Sequence, residues 1–384
     1  MMTVDTLSDI DTPLHERSDD FDDLQANAVI MHSSGTTGLP KAIRQSHRWT
    51  LSYAFNECPE TPLTQGSVAL TAGVYHTYGF LISTRCMATG VVLCLPSPTS
   101  QQSPGTGVLQ WLRRCRADHL ATVPSVLQNL YDMPTNEGIL ALSKLKWVAF
   151  SGSTLKGSVG DGLAAAGIGI SSIYGSTETG ILSILRYPSP SRDWRYFTLR
   201  QDMGVRVKQL SCGTSQKNND ARCQFIVNVP GWIEPFHLQD DIRARGVHHG
   251  DYMVCGRLDD VIVLSHGQNV VPHAVEGALM NSTLVKSALA FGHARPELGA
   301  LVVPSRPVPQ ESLPEFRSKL FKLVSDVCNN SRESIHYPEA IAVLPYTAEF
   351  PKTDKGTTKR QETWQLYAAE IEAVYKDITS CQAQ

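Results

Sequence analysis

The sequence predicts an α/β protein in two parts, a large layered one followed by a smaller one. Short apolar runs alternate with helical patterns from about residue 28 to residue 185, and the alternation starts afresh after Arg257. Between them, residues 185–256 change to runs of strand and turn. Strands alternating with helices pack into a mostly parallel sheet with covered faces. At about 150 residues per domain, a chain of 384 residues suits two or three domains.

The elements follow in order. Residues 28–31 (AVIM) make a short strand entering a glycine-rich loop. VVLCL (91–95), ATV (121–123), WVAFS (147–151) and IGISSIY (168–174) are short apolar strands. VLQWLRRCRADHL (108–120) and the stretch after Lys156 are helices. CQFIVNV (223–229) and YMVCGR (252–257) are antiparallel strands, with Asp251 a turn residue before the second. Beyond a boundary at 256–260, VIVLS is a strand, VPHAVEGALMN a helix, and VKSALAFG and ALVVPS two more strands. Residues 312–329 form an amphipathic helix, AIAVLP a last strand and TWQLYAAEIEAVYKDI the final helix.

Composition excludes several functions. Hydrophobic residues at 42% and charged residues at 18% are ordinary for a globular chain. The net charge of −3 provides no basic field to hold a nucleic acid. No apolar run approaches the roughly 18 residues of a membrane span. The first 27 residues are an acidic, solvated arm where a signal or transit peptide would be basic. Nine scattered cysteines, with no CxxC pair and no zinc-ligand spacing, suit a reducing compartment, and the chain is expected in the cytoplasm.

The strongest local feature is Ser33, Ser34, Gly35, Thr36, Thr37, Gly38, Leu39, Pro40 and Lys41. Glycines let backbone N–H groups approach phosphate oxygens, hydroxyls add donors, and lysine adds a charge. A Walker loop needs GxxxxGK[ST] before a helix, and here Lys41 follows Pro40 and precedes Ala42. This is a phosphate-gripping loop of another kind.

The loop resembles the third core motif of the adenylate-forming superfamily: acyl-CoA synthetases, luciferases and adenylation domains of nonribosomal peptide synthetases. Three further motifs occur in that family's order. Tyr174, Gly175, Ser176, Thr177 and Glu178 resemble YGxTE. Gly256, Arg257, Leu258, Asp259 and Asp260, with Gly267 and Pro272 after them, resemble the GRxDD hinge motif. Pro351, Lys352, Thr353, Asp354, Lys355 and Gly356 resemble the terminal lysine motif. The resemblance covers about residues 28–375, and GWIEPFHLQDD, HYPEAIAVLP and KGTTKRQ are similar to fungal NRPS-like enzymes related to aminoadipate and aryl-acid reductases.

The resemblance implies a large multi-layer adenylation domain at 28–258, truncated at its N-terminus, then a small α+β lid domain at 259–384. It implies ATP-dependent activation of a carboxylic acid and transfer of the acyl group to a thiol. ATP and Mg²⁺ serve the first step, and CoA or a phosphopantetheine arm accepts in the second. Ser33 to Lys41 would grip the β- and γ-phosphates. Thr177 would bond the α-phosphate and Glu178 would hold Mg²⁺. Tyr174, within the Tyr174-Gly175-Ser176 turn, would lie along the adenine, and Ser151 and Gly152 against the purine edge. Asp240, with Asp241 close behind, would accept from the ribose hydroxyls, and Arg257 would reach the ribose or phosphate side. Asp259 would be the hinge between half-reactions. Lys355 would donate to the carboxylate and the α-phosphate, with Lys352 and Lys359 as rivals, since Thr357 stands where the broad family has its lysine.

His76 stands in GVYHTYG where amino-acid-loading domains carry an aspartate for the substrate ammonium. An ammonium buried without a carboxylate is costly, so an aryl or keto acid is expected, against a wall of Tyr75, His76 and Tyr78. Family members place far more residues before the glycine loop than the 32 found here, and no carrier-protein or reductase motif follows. The expectation is a stand-alone adenylation enzyme of fungal secondary metabolism that uses CoA or a carrier protein in trans. The alternatives are an acyl-CoA ligase and a truncated, non-catalytic remnant acting as a binding protein.

Overall fold

The structure is a computed structural model. It describes residues 24–33, 41–55, 61–96, 105–188, 192–210, 221–245, 250–258, 260–266, 268–328, 334–353 and 356–382.

The described chain begins with an antiparallel hairpin of β1 (Asn27–Ser33) and β2 (Lys41–Ser46), in which Ser33 lies opposite Lys41. The ends of the glycine loop are thus brought together by ladder pairing. Ser46 then caps helix α1 (His47–Ala54), its Oγ accepting from Trp49 N at 3.2 Å. A serine at this position satisfies one of the free donors of the first turn.

A parallel sheet follows. Its strands are β3 (Ser67–Leu70), β4 (Val92–Cys94), β5 (His119–Thr122), β6 (Trp147–Phe150) and β7 (Ile170–Ser172). Between them run α2 (Thr77–Thr89), α3 (Thr106–Cys115), α4 (Pro124–Tyr131), α5 (Glu137–Leu142) and α6 (Gly157–Ala165). The strand order is β4-β3-β5-β6-β7, every pair parallel. Successive side chains of a strand face opposite ways. Trp147 and Ala149 therefore join one buried cluster with Leu81 and Ile82, and Val148 and Phe150 join another with Leu127 and Leu163. Both faces are covered, which is why these strands read as unbroken apolar runs.

The helix expected at 108–120 is shorter. Arg116 adopts a left-handed conformation (φ 47°) that ends α3 at Cys115, and His119 and Leu120 belong to β5. Apolar Leu120 continued the helical spacing, but its place is a buried strand.

Past β7 the chain forms a small hairpin, β8 (Gly175–Ser176) and β9 (Gly180–Ile181). An antiparallel sheet then takes β10 (Phe197–Thr198), β11 (Arg206–Gln209), β12 (Ala221–Val227), β13 (Phe236–His237), β14 (Asp240–Ala244) and β15 (Asp251–Arg257). The order is β10-β15-β14-β12-β11, with β13 beside β12.

The C-terminal part has its own core, drawn from Ile262 to Ile378. It holds the hairpin β16 (Ile262–Val263) and β17 (Asn269–Val270), helix α7 (His273–Met280), and the sheet β18 (Val285–Phe291), β19 (Gly299–Pro304) and β20 (Ile341–Val343). Helix α8 (Leu313–Cys328) packs against α7. The final helix is two, α9 (Arg360–Leu366) and α10 (Ala368–Gln382), because Tyr367 leaves the helical region (φ −109°, ψ 30°). Among the described residues no helix is long and apolar enough to cross a membrane.

Candidate active site

The parallel sheet dictates where a ligand fits. The chain leaves β3 for β4, then crosses back to β5, so the winding reverses between β3 and β5. Open α/β sheets bind ligands beyond the carboxyl ends of the strands at such a reversal. Here Thr71 and Thr122, just past β3 and at the end of β5, share a hydroxyl hydrogen bond of 2.6 Å. His76 follows β3, Ser151 and Gly152 follow β6, and Tyr174 to Glu178 follow β7. Four separated stretches are thus delivered to one rim.

Tyr174 is fixed on all sides. Its ring stacks on Phe197 (centroids 4.6 Å, 15°) and meets Phe225 edge-on. Its hydroxyl donates to Asp240 Oδ2 at 2.7 Å. Burial, then the adjacent Asp240 carboxylate, push the phenol well above its usual range, so it remains a donor. Ser151 is buried, with its N–H donating to Thr122 O at 3.2 Å. Gly152 turns the chain out of β6 at φ +96°, a region open to glycine at little cost.

Residues 177–179 form the loop of the β8–β9 hairpin. Gly175 permits this hairpin, since a Cβ there would lie 2.0 Å from Gly180 O. The Ser176 and Thr179 hydroxyls bond each other at 3.1 Å, and each accepts the other's backbone N–H at 3.2 Å. Thr177 is buried and Glu178 half-buried.

Asp240 and Asp241 are consecutive residues of β14, so their side chains face opposite sides of the sheet. Asp240 pairs with Arg257 and Asp241 with Gly256, but Ile242 pairs with Val254, skipping Cys255. Asp240 meets the Tyr174 hydroxyl and lies 3.6 Å from Arg257 Nη1. Asp241 is 1% exposed and is spent on a bidentate bond to Arg222 at 3.0 and 2.8 Å. His273 Nε2 lies 3.6 Å from the same carboxylate, and burial lowers the imidazole below its usual range despite Asp241. Asp251 is not a turn residue: it opens β15 and its carboxylate takes Arg192 and the Thr198 hydroxyl.

Ser33 and Lys41 flank the glycine loop at the last pair of the hairpin, and Lys41 is exposed. Ser34, Gly35, Thr36, Thr37 and Gly38 lie outside the described residues, as do Asp259 and Lys355. The described residues on either side are paired: Thr353 N donates to Thr357 O and Gly356 N to Thr353 O, both at 2.8 Å. Gly356 sits against Ser125, at the carboxyl end of β5, where a Cβ would lie 3.3 Å from Ser125 Cβ. The terminal motif therefore reaches the same rim. Of the rival lysines, Lys352 is exposed, and Lys359 pairs with Glu362 at 2.8 Å.

His76 begins α2, half-buried, with its ring against Tyr75 (centroids 4.4 Å). Tyr75 is 71% exposed, whereas Tyr78 is buried with Leu81 and Ile82. The expected wall of three rings is thus two, because one helical step from His76 turns Tyr78 into the core.

Sequence reasoning missed Gln45 and Tyr53. Gln45 is fully buried and its Nε2 donates to Thr177 O and Glu178 O at 2.9 and 2.8 Å. The Tyr53 hydroxyl donates to Thr179 O. Only the Ser-His pair after the strand hinted at a fixed helix start here. A groove of about 700 Å³ lined by Gln25, Arg48, Asp202, Trp232 and Ile233 contains none of the motif residues.

Comparison with known proteins gives this arrangement a family. Residues 4–217 match the family described as AMP-binding enzyme, and residues 259–379 match AMP-binding enzyme C-terminal domain. An adenylate-forming reductase of Aspergillus terreus is 33% identical over 369 residues, covering 94% of this chain and 34% of that protein. A non-canonical non-ribosomal peptide synthetase of Acremonium egyptiacum is 32% identical, covering 92% of this chain and 32% of that protein. The chain spans about a third of the length of these relatives. Among solved structures, the anthranilate CoA ligase AuaEII in complex with anthranoyl-AMP superposes with a TM-score of 0.67 at 18% identity, over 92% of this chain and 68% of that one. ATP-bound MatB from Rhodopseudomonas palustris gives 0.69 at 17% identity, over 91% and 69%. These structures share its fold.

Proposed function

Because the chain belongs to the AMP-binding, adenylate-forming enzyme family, we propose that it joins a carboxylic acid to ATP and hands the acyl group to a thiol. The observation that carries this reading is the convergence of Tyr174, Asp240 and Arg257 with the Thr177–Glu178 turn at the carboxyl rim of the parallel sheet.

In the first step a carboxylate oxygen attacks the α-phosphorus of ATP. The bond from that phosphorus to the bridging oxygen breaks, and pyrophosphate leaves with the electron pair. No proton moves, but two anions must meet, so the site's work is positioning and charge compensation. In the second step a thiolate of CoA or of a phosphopantetheine arm attacks the acyl carbon and AMP leaves.

Asp240 would accept from the ribose hydroxyls, oriented by the Tyr174 hydroxyl and Arg257. Ser151 and Gly152 would bring backbone against the purine. The Ser33–Lys41 loop would hold the β- and γ-phosphates, and Thr177 the α-phosphate. Glu178 fits Mg²⁺: its carboxylate is half-buried, with no ion pair among the described residues. A hard cation of this kind takes one carboxylate plus phosphate oxygens and water. Mg²⁺ would supply neutralisation of phosphate charge. Lys355 would donate to the carboxylate and the α-phosphate, carried by a C-terminal unit that we place at 259–384 and that would turn at Asp259 between steps.

His76 in place of a carboxylate, beside the exposed Tyr75 ring, favours an aryl or keto acid over an amino acid. The test is hydroxamate formation from ATP, hydroxylamine and pooled acids. Hydroxamates from aryl or keto pools are expected. Preferential activation of plain amino acids would overturn the substrate class.

A further inference from the structure

Gln45 has no part in the roles above, yet it is one of the best-fixed polar side chains near the site. It lies in β2, four residues after Lys41, and is 0% exposed. Both hydrogens of its amide are used, one on Thr177 O and one on Glu178 O. The next carbonyl along, Thr179 O, accepts the hydroxyl of Tyr53 from α1. Three consecutive main-chain carbonyls of the turn are thus held by the single stretch from Gln45 to Tyr53. That stretch begins in the strand that leaves the glycine loop.

The turn's own hydroxyl bonds are local, between Ser176 and Thr179 and from Thr179 to Gly180. They shape the turn without tying it to the loop. Gln45 also leaves its Oε1 buried with no hydrogen-bond partner among the described residues. A buried orphan acceptor is unfavourable, and an apolar side chain of the same size would avoid it. What the apolar side chain would lack is the pair of donors.

We infer that Gln45 is a positioning residue that locks the Thr177–Glu178 turn to the β1–β2 hairpin, so that the Thr177 hydroxyl and the Glu178 carboxylate are held in place toward the triphosphate. This rests on the adenylation reading. Mg²⁺ and nucleotide affinity are therefore coupled through Gln45, although it touches neither.

The test uses Gln45→Leu, which keeps the volume and removes both donors, and Tyr53→Phe, which removes one. Hydrogen exchange is followed in the nucleotide-free chain, and calorimetry measures binding of ATP with Mg²⁺ and with EDTA. Q45L should speed exchange across residues 175–181 and weaken Mg·ATP binding about tenfold, as expected for two lost neutral hydrogen bonds. Metal-free ATP should lose less, because only the Thr177 contact and not the Glu178 one serves it, a split that general loosening of the fold would not produce. Y53F should act in the same direction but less, and it carries the test if Q45L does not fold. Wild-type and variant chains alike in exchange and in Mg·ATP affinity would overturn the positioning role alone. No nucleotide binding by the folded wild-type chain would overturn the adenylation reading and this one with it.

Discussion

The large and C-terminal parts of the molecule hold their candidate residues in opposite ways. In the large part, side chains reach across the chain: Gln45 to Thr177 over 132 residues, and Tyr174 to Asp240 over 66. Each of these bonds joins elements far apart in sequence. In the C-terminal part, the terminal motif is held by its own neighbours, Thr353 to Thr357 and Gly356 to Thr353. That local hairpin sits on a separate core, where Arg360 ties α9 to Glu276 of α7 at 2.6 Å and to Asp260 at 3.7 Å. The difference separates two tasks. A nucleotide site gains from preorganisation, whereas a donor needed in only one half-reaction gains from riding on a unit that can turn as a body.

If that division is right, substitutions in the two parts should fail differently. The largest effect is expected at the donor. Lys355→Ala should slow adenylation by about 10²–10³, the usual loss of one oxyanion donor, and leave ATP affinity nearly unchanged. Rapid-quench measurement of acyl-adenylate formation beside calorimetry would show the split, and an unchanged rate would remove Lys355 from the chemistry. Next, Arg360→Leu leaves the half-buried Glu276 with only the Ala290 N–H and should cost about 3 kcal/mol of stability, the loss of charge-assisted hydrogen bonds. Limited proteolysis should find that loss confined to the C-terminal core. Cooperative unfolding of both parts together would contradict the two-core description.

Asp240→Ala should reverse the Lys355 pattern. It removes a charged acceptor worth about 1.5–3 kcal/mol, so ATP affinity should fall about 10- to 100-fold, and Asp241→Ala should act on stability instead. Equal effects on binding would erase the distinction between the two faces of β14.

The smallest effect concerns pH where the two parts meet. His273 of α7 faces Asp241, Arg222 and Arg243 of the antiparallel sheet and Glu276 on its own helix. Burial lowers its folded pKa below the unfolded value. As pH falls through the ordinary imidazole value of about 6.5, the unfolded chain binds a proton that the folded chain resists. Stability is complete above that pH and declines below it. Denaturation midpoints between about pH 8 and about pH 5 should show the decline, reduced in His273→Gln. His119, buried in β5 and lowered for the same reason, contributes in the same direction and should persist in that variant.

The elements that could be read from sequence are those whose signal is local. The central strands of the parallel sheet are short apolar runs because both faces are covered, and the motif turns carry glycines that the backbone requires. What escaped reading depends on partners far along the chain. Gln45 is one polar residue in a strand, and nothing near it announces that its amide closes on carbonyls of residues 177 and 178. Asp240 and Asp241 are chemically identical neighbours, and what separates them is which face of β14 meets Tyr174 and which meets Arg222, a property of the tertiary packing. The helical spacing runs through residue 120, but the helix ends at Arg116, whose left-handed conformation no residue type demands. Tyr78 was grouped with Tyr75 and His76 by proximity in sequence, whereas the turn of α2 sends it into the core.

The most direct test of the account is exchange of labelled pyrophosphate into ATP by the folded wild-type chain, with Mg²⁺ and a pool of aryl and keto acids, and with Asp240→Ala alongside. The account predicts exchange that requires both the acid and Mg²⁺ and that drops sharply in the variant. Absence of exchange from every acid pool, in a chain shown to be folded, would contradict it.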